Sequence, residues 1–225
     1  MRFFTFTIIA LLLPMVAFSQ KTEIGVALGI TNYQGDLVEP SFSLKESNLI
    51  YGGLLKHHFS PKLALRAALN FGKITGDDAN FDELSNRGFS FESNIFEFGA
   101  GIEFTPFGRQ RYDDGGTFQK TISPFVYIGL GFISTNPDID DTIKRTSEEI
   151  DAGSLLLSIP LGIGFKADLS ERWTFAVDLS SRATGSDYLD GFADSANPDK
   201  NDWYFIGALT MTYRLGASAT NSVGE

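Results

Sequence analysis

The sequence contains no cysteine. That excludes disulfides, cysteine-bound metals and lipid attachment through a cysteine at a mature N-terminus. Histidine is nearly absent too. His57 and His58 are the two present; as neighbours in a strand they point to opposite faces and cannot join one site. Basic residues are outnumbered 18 to 28 by acidic ones, for a net charge of -10, which excludes the electropositive footprint that nucleic acid requires. Beyond residue 20 no apolar run approaches the ~18 residues of a transmembrane helix.

The one long apolar run comes first. "MRFFTFTIIALLLPMVAFSQ" carries a single early charge, Arg2, then a short hydrophobic region, then Ala17-Phe18-Ser19 ahead of Gln20. This is the pattern of a secretory signal peptide over residues 1–19, too short for an anchor. Residues 20–225 then form one domain, with 216–225 a short polar tail.

That domain is rich in glycine (23) and phenylalanine (21) and poor in helix-favouring stretches, which points to an all-β protein. Its segments alternate with the two-residue period of strands. In "TEIGVALGITNY" Ile24, Val26, Leu28 and Ile30 oppose Glu23, Gly25, Ala27 and Gly29. In "FESNIFEFGAGIEF" Phe96, Phe98, Ile102 and Phe104 oppose Glu97, Gly99, Gly101 and Glu103. "KLALRAALNFG", "SPFVYIGLGFIS", "LLLSIPLGIGFKADL", "RWTFAVDLSSR" and "WYFIGALTMTYRLG" repeat the theme. "SNLIYGGLLKHHF" is less clean, and Leu49, Tyr51 and Leu55 are read as its outward set. Eight strands result, each bulky and apolar on one face and small or charged on the other.

A soluble barrel has the reverse arrangement, with large side chains inside and a polar exterior. Here the small-plus-charged face suits a narrow bore, and the bulky face needs a medium as apolar as itself. The expectation is an eight-stranded antiparallel transmembrane β-barrel of the outer membrane, with a narrow plugged lumen, short periplasmic turns and longer acidic outer loops. Outer-membrane lipids are its first partner. Aromatic girdles are expected at the two rims: Tyr33, Phe71, Trp203 and Tyr204 at one, Phe59, Phe104, Trp173 and Tyr213 at the other. With strand one starting in the periplasm, nearly all the acidic excess falls on outer connections, such as Asp138–Asp151. The connection "TPFGRQRYDDGGTFQKT" is long for the periplasmic side.

Inward positions collect Lys56, Arg66, Lys166, Arg182 and Arg214 against Glu23, Glu97, Glu103 and Asp178. A lone buried charge costs several kcal/mol, so these should pair into a salt-bridged plug rather than line a wide pore. Antiparallel geometry puts Glu23, Lys56, Glu103, Lys166 and Arg214 near the periplasmic end, and Arg66, Glu97 and Asp178 nearer the middle. The histidines read as polar residues of the interface. No histidine reaches the outer-leaflet depth where a lipid-modifying site would lie, so no catalytic residue, cofactor site, metal site or small-molecule substrate is assigned. The acidic loops lack the glycine and spacing of an EF-hand. In "RATGSDYLDGF" a pair between Arg182 and Asp187 or Asp190 could fold the loop over the barrel mouth, although Asx turns alone explain the aspartates.

Four stretches resemble a known family: "TNYQGDL" with Gly35 and Asp36, "KLALRAALNFGKITGDD", "LSIPLGIGFK", and "SSRATGSDYLDG" with Asp187, Tyr188 and Asp190. Together they are similar to the small outer-membrane barrels that include PorG of the type IX secretion system, over nearly the whole mature chain. The resemblance implies a structural, anchoring component of that machine or a paralogue of one, with periplasmic secretion-ring proteins as partners through Thr105–Thr121 and the tail Gly216–Glu225. It brings no catalytic residue. The alternatives are a stand-alone barrel for adhesion or membrane integrity and, with least support, a lipid-modifying enzyme.

Overall fold

The computed structural model describes residues 21–34, 47–77, 90–139, 155–184 and 203–216. Residues 1–19, read above as a signal peptide, the tail beyond 216 and the motif residues Gly35, Asp36, Asp187, Tyr188 and Asp190 lie outside the described residues.

Eight strands follow one another: β1 Thr22–Gln34, β2 Ser47–His58, β3 Leu63–Asp77, β4 Ser90–Phe104, β5 Ile122–Ile139, β6 Leu155–Asp168, β7 Trp173–Thr184 and β8 Trp203–Leu215. Each pairs antiparallel with its neighbour, and β1 pairs with β8 from Thr22↔Leu215 to Gln34↔Trp203, closing the barrel. At 12 to 18 residues, the strands exceed the ~9–11 that a tilted strand needs to cross hydrocarbon. Closure leaves no strand edge to satisfy. The β5–β6 ladder skips the pairs between Ile128↔Leu161 and Gly131↔Ser158, where Pro160 has no N–H to give.

The outward side is the apolar one. Val26, Leu28, Leu130, Leu161, Ile163 and Leu209 are all more than half exposed. The inward side holds the buried charges Glu23, Lys56, Glu97, Glu103, Asp178 and Arg182. β2 follows the same parity: Leu49, Tyr51 and Leu55 face out while Leu54 and Lys56 are buried. The barrel thus has the inverted layout that hydrocarbon demands. Lys73 and Glu92, paired at 2.5 Å and both partly exposed, lie on the outward side toward the far end.

One girdle assignment is corrected. Trp203 faces outward, but Tyr204 is fully buried in the bore. Adjacent strand residues cannot share a face, so the two could not both belong to the rim.

The end carrying the starts of β1, β3, β5 and β7 is called the turn end here. Two of its connections are built alike. In "FSPKL" the Ser60 hydroxyl accepts from the Lys62 and Leu63 amides at 3.2 and 3.1 Å, and the Phe59 amide donates to the Leu63 carbonyl at 2.9 Å. In "LSERW" Ser170 accepts from Arg172 and Trp173 at 3.4 and 3.1 Å, and the Leu169 amide donates to the Trp173 carbonyl at 2.9 Å. A serine three residues before each strand thus adds a side-chain acceptor to the tight turn.

The third connection, Thr105–Thr121, is a folded cap. Tyr112 and Phe118 form an antiparallel bridge, with their rings edge to face at 6.4 Å. Asp113 Oδ1 accepts from the Gly115 and Thr117 amides at 3.0 and 2.8 Å, and Gly116 supplies the left-handed residue, φ 77°, that the turn needs. The Thr105 amide donates to the Lys62 carbonyl at 2.8 Å, and the Asp168 amide donates to the Thr121 carbonyl at 2.9 Å. The cap is therefore tied to the hairpins on both sides of it.

Candidate functional site

The charges expected inside the bore lie in three tiers. The innermost centres on Glu97, which accepts from Arg182 Nε at 3.1 Å and Asn70 Nδ2 at 3.3 Å, and also from the Tyr204 hydroxyl. Arg182 donates a further bond to Ser180 and stacks its guanidinium 5.9 Å from the Tyr204 ring. Its described partners are therefore inside the bore, while Asp187 and Asp190 fall outside the described residues.

Arg66 spans the middle tier. Its Nη2 lies 3.4 Å from Asp178 and its Nη1 3.8 Å from Glu103. The Tyr127 hydroxyl donates to the same Asp178 oxygen at 3.1 Å, and its ring lies under the Arg66 guanidinium at 4.2 Å. Glu103 is fully buried and takes three cations: Lys56 at 2.6 Å, Lys166 at 2.8 Å and Arg66. Phe125 sits beside Lys56 and Lys166, 5.2 and 5.9 Å from their ammonium groups.

The outermost tier centres on Glu23. It accepts from Arg214 at 2.7 Å, from Thr212 at 2.9 Å and from Arg111 at 3.2 Å, with His58 Nε2 3.1 Å away. Register explains the core of the set, since Glu23 stands directly between Lys56 of β2 and Arg214 of β8.

The structure thus brings all nine expected bore residues together, from Glu23 and Arg214 near the turn end to Glu97 and Arg182 deepest. Several further partners join these nine. Arg111 is the chief of these. It enters the bore mouth from the cap, donates from Nη1 to the Glu171 carbonyl at 3.0 Å, and bonds through Nη2 to Asp168 and Thr174 besides Glu23. No periodicity marks a residue in an irregular connection. Burial, together with Arg214 beside it, holds the Arg111 pKa below its ordinary value.

His58 is the second case, and it corrects the interfacial reading. The two histidines do face opposite ways: His57 accompanies Thr22 at 3.0 Å and the Phe59 ring at 5.4 Å, while His58 turns into the bore. Even parity with Lys56 was the available signal. The hydroxyls of Tyr127 and Tyr204 are the third case. Their inward parity was legible, but which carboxylate each meets depends on shear across the barrel.

Between the tiers the free space is small. A void of about 40 Å³ lies among Arg66, Asn70, Glu97, Asp178 and Arg182, and one of about 310 Å³ opens at the turn end. Buried charges at this density in a low dielectric hold each other in place, and removing one strands the rest. Chemically the arrangement is a rigid electrostatic plug. Among the described residues no group of three or more histidine, aspartate or glutamate side chains is placed to hold a metal ion.

The architecture is shared with solved small barrels. Neisserial surface protein A aligns over 87% of this chain and 97% of its own, at 10% identity and a TM-score of 0.51. Ail, the attachment invasion locus protein of Yersinia pestis, aligns over 86% and 98% at 12% identity and 0.46. The N-terminal β-barrel domain of Pseudomonas aeruginosa OprF aligns over 86% and 97% at 15% identity and 0.43. At such identity the likeness to the Neisserial protein is one of fold alone, and the lower scores add nothing to it. No curated protein matches the chain by sequence. A model of a family described as a domain of unknown function (DUF6089) matches residues 1–222, and the chain belongs to that family.

Proposed function

We propose that this chain is a non-enzymatic outer-membrane barrel that anchors periplasmic components of the type IX secretion machine, either as a PorG-like member or as a paralogue. In this reading residues 1–19 direct export, the turn end faces the periplasm and the acidic connections face outward. The exposed apolar belt supports the membrane placement, and the fold is that of small outer-membrane barrels. The four motif stretches support the link to secretion.

The observation that carries the anchoring role is the cap. A connection needed only to join two strands would be short, like "FSPKL". Thr105–Thr121 is instead folded, tied to both adjacent hairpins and pinned through Arg111 to Glu23. It presents Phe107, 70% exposed, beside the exposed Arg109 at the end of the barrel. An exposed aromatic on a rigid platform suits a protein partner better than bulk water. Affinity purification of the intact protein from membranes in mild detergent should recover periplasmic ring proteins, and a variant with residues 106–120 replaced by a short Gly-Ser turn should lose them. Recovery of none by the unaltered protein overturns the anchoring role.

The outer acidic connections favour a second reading, adhesion or membrane integrity. Under it, deletion within Asp138–Asp151 abolishes surface binding while secretion continues; unchanged binding ends that reading.

A further inference from the structure

The 310 Å³ cavity at the turn end is lined by Glu23, His58, Arg111, Lys166, Asp168 and Arg214, with Lys21 and Arg109 at its rim. Its charge is unbalanced. Five cationic side chains, Lys21, Arg109, Arg111, Lys166 and Arg214, meet two carboxylates, Glu23 and Asp168. Deeper carboxylates relieve this only in part: Glu103 takes Lys166 but is shared with Lys56 and Arg66, Asp178 serves Arg66, and Glu97 serves Arg182. The surplus therefore sits at the mouth of a chain whose net charge is -10.

Donor capacity is in surplus as well. Arg214 spends Nε and Nη2 on Glu23, with no acceptor for Nη1 among the described residues. Lys166 spends one bond on Glu103. Lys21 and Arg109 are exposed and have no carboxylate partner among the described residues. The depressed pKa of Arg111, due to burial and then to Arg214, agrees with a local excess of positive potential.

We propose that the turn-end mouth is a receptor site for carboxylates delivered from the aqueous side, the acidic side chains of an extended peptide segment. The volume is at the lower end of small-ligand pockets, enough for one or two side chains and too small for a folded surface. The walls come from inward-facing positions such as His58, Thr174 and Arg214, so a headgroup of the surrounding bilayer, which meets the outward faces, does not reach it. Burial of Glu23 and Arg111 in the cavity wall lowers the screening there and strengthens the attraction, and salt weakens it at the exposed rim.

The test uses the whole mature chain in detergent, needs no secretion machinery, and so fails or succeeds independently of the anchoring role. Tetraglutamate is titrated by calorimetry at low and high salt, beside tetralysine and inorganic phosphate. Tetraglutamate should bind one to one, tetralysine should not, and high salt should weaken the binding. The double variant Lys21→Gln/Arg109→Gln, whose changes are exposed and outside the strand ladders, should weaken it about tenfold. Absence of tetraglutamate binding at low salt, or equal affinity in the double variant, overturns the site. Binding of phosphate without tetraglutamate overturns the peptide assignment.

Discussion

At the scale of single residues, the barrel's specificity lies in who shares which carboxylate. Glu103 is fully buried under three cations, while Lys73 and Glu92 form a partly exposed pair. Glu103→Gln keeps the shape but strands Lys56, Lys166 and Arg66, and should cost about 3 kcal/mol or more. Lys73→Ala should cost less than about 1 kcal/mol. Urea titration of the folded protein in detergent, followed by the fluorescence of its two tryptophans, reads both, and equal effects would contradict the network's role. A second residue-scale test concerns Gly162. A Cβ built there would lie 2.3 Å from Cε1 of Tyr127, so the ring packs over bare backbone. Gly162→Leu should push Tyr127 off Asp178 and cost about 1–3 kcal/mol by overpacking. An unchanged urea midpoint would show that the ring moves freely.

At the scale of elements, legibility divides by periodicity. Strand faces could be read because every second side chain meets hydrocarbon, and a two-residue period survives in the sequence. The nine charged bore positions could be read for the same reason. Arg111 could not, since the cap has no period and its docking depends on hairpins 60 residues away. Tyr204 shows a different failure: an aromatic near a strand end resembles a girdle, and only strict parity with Trp203 reveals that it is inside. The cap carries its own prediction. Burial, and then the Glu171 carboxylate, raise the Tyr112 pKa above its ordinary 10.0, so folding favours the neutral phenol. That contribution is present below pH 10 and lost as pH rises through the raised value. Arg111 has the opposite sign, because burial penalises its charged form, a cost borne throughout the neutral range. The anisotropy of a probe on Asp114→Cys should therefore stay flat from neutral pH to about 10 and then fall. Added to that variant, Arg111→Ala should lower it at every pH while the barrel stays folded. A fall already near neutrality, or no effect of Arg111→Ala, would contradict the pinned cap.

At the scale of the whole molecule, a closed wall surrounds a plugged bore. Three tiers of paired charge stand in series, so opening one leaves two shut. In planar bilayers the protein should show no discrete conductance, and neither should Arg111→Ala. A stable channel in the unaltered protein would contradict the plug. Beneath all of this lies the inversion of the barrel, bulky apolar faces out and charges in. The chain has no native cysteine, so spin labels go only where they are placed. Labels on Leu130→Cys, Leu161→Cys, Leu179→Cys and Leu209→Cys, at outward positions all at least half exposed, should in lipid vesicles collide readily with oxygen and rarely with a water-soluble nickel chelate, opposite to a label on the exposed Gln110→Cys. Nickel collision at the four wall positions as frequent as at the cap would mean that the wall faces water, and the membrane barrel would be refuted.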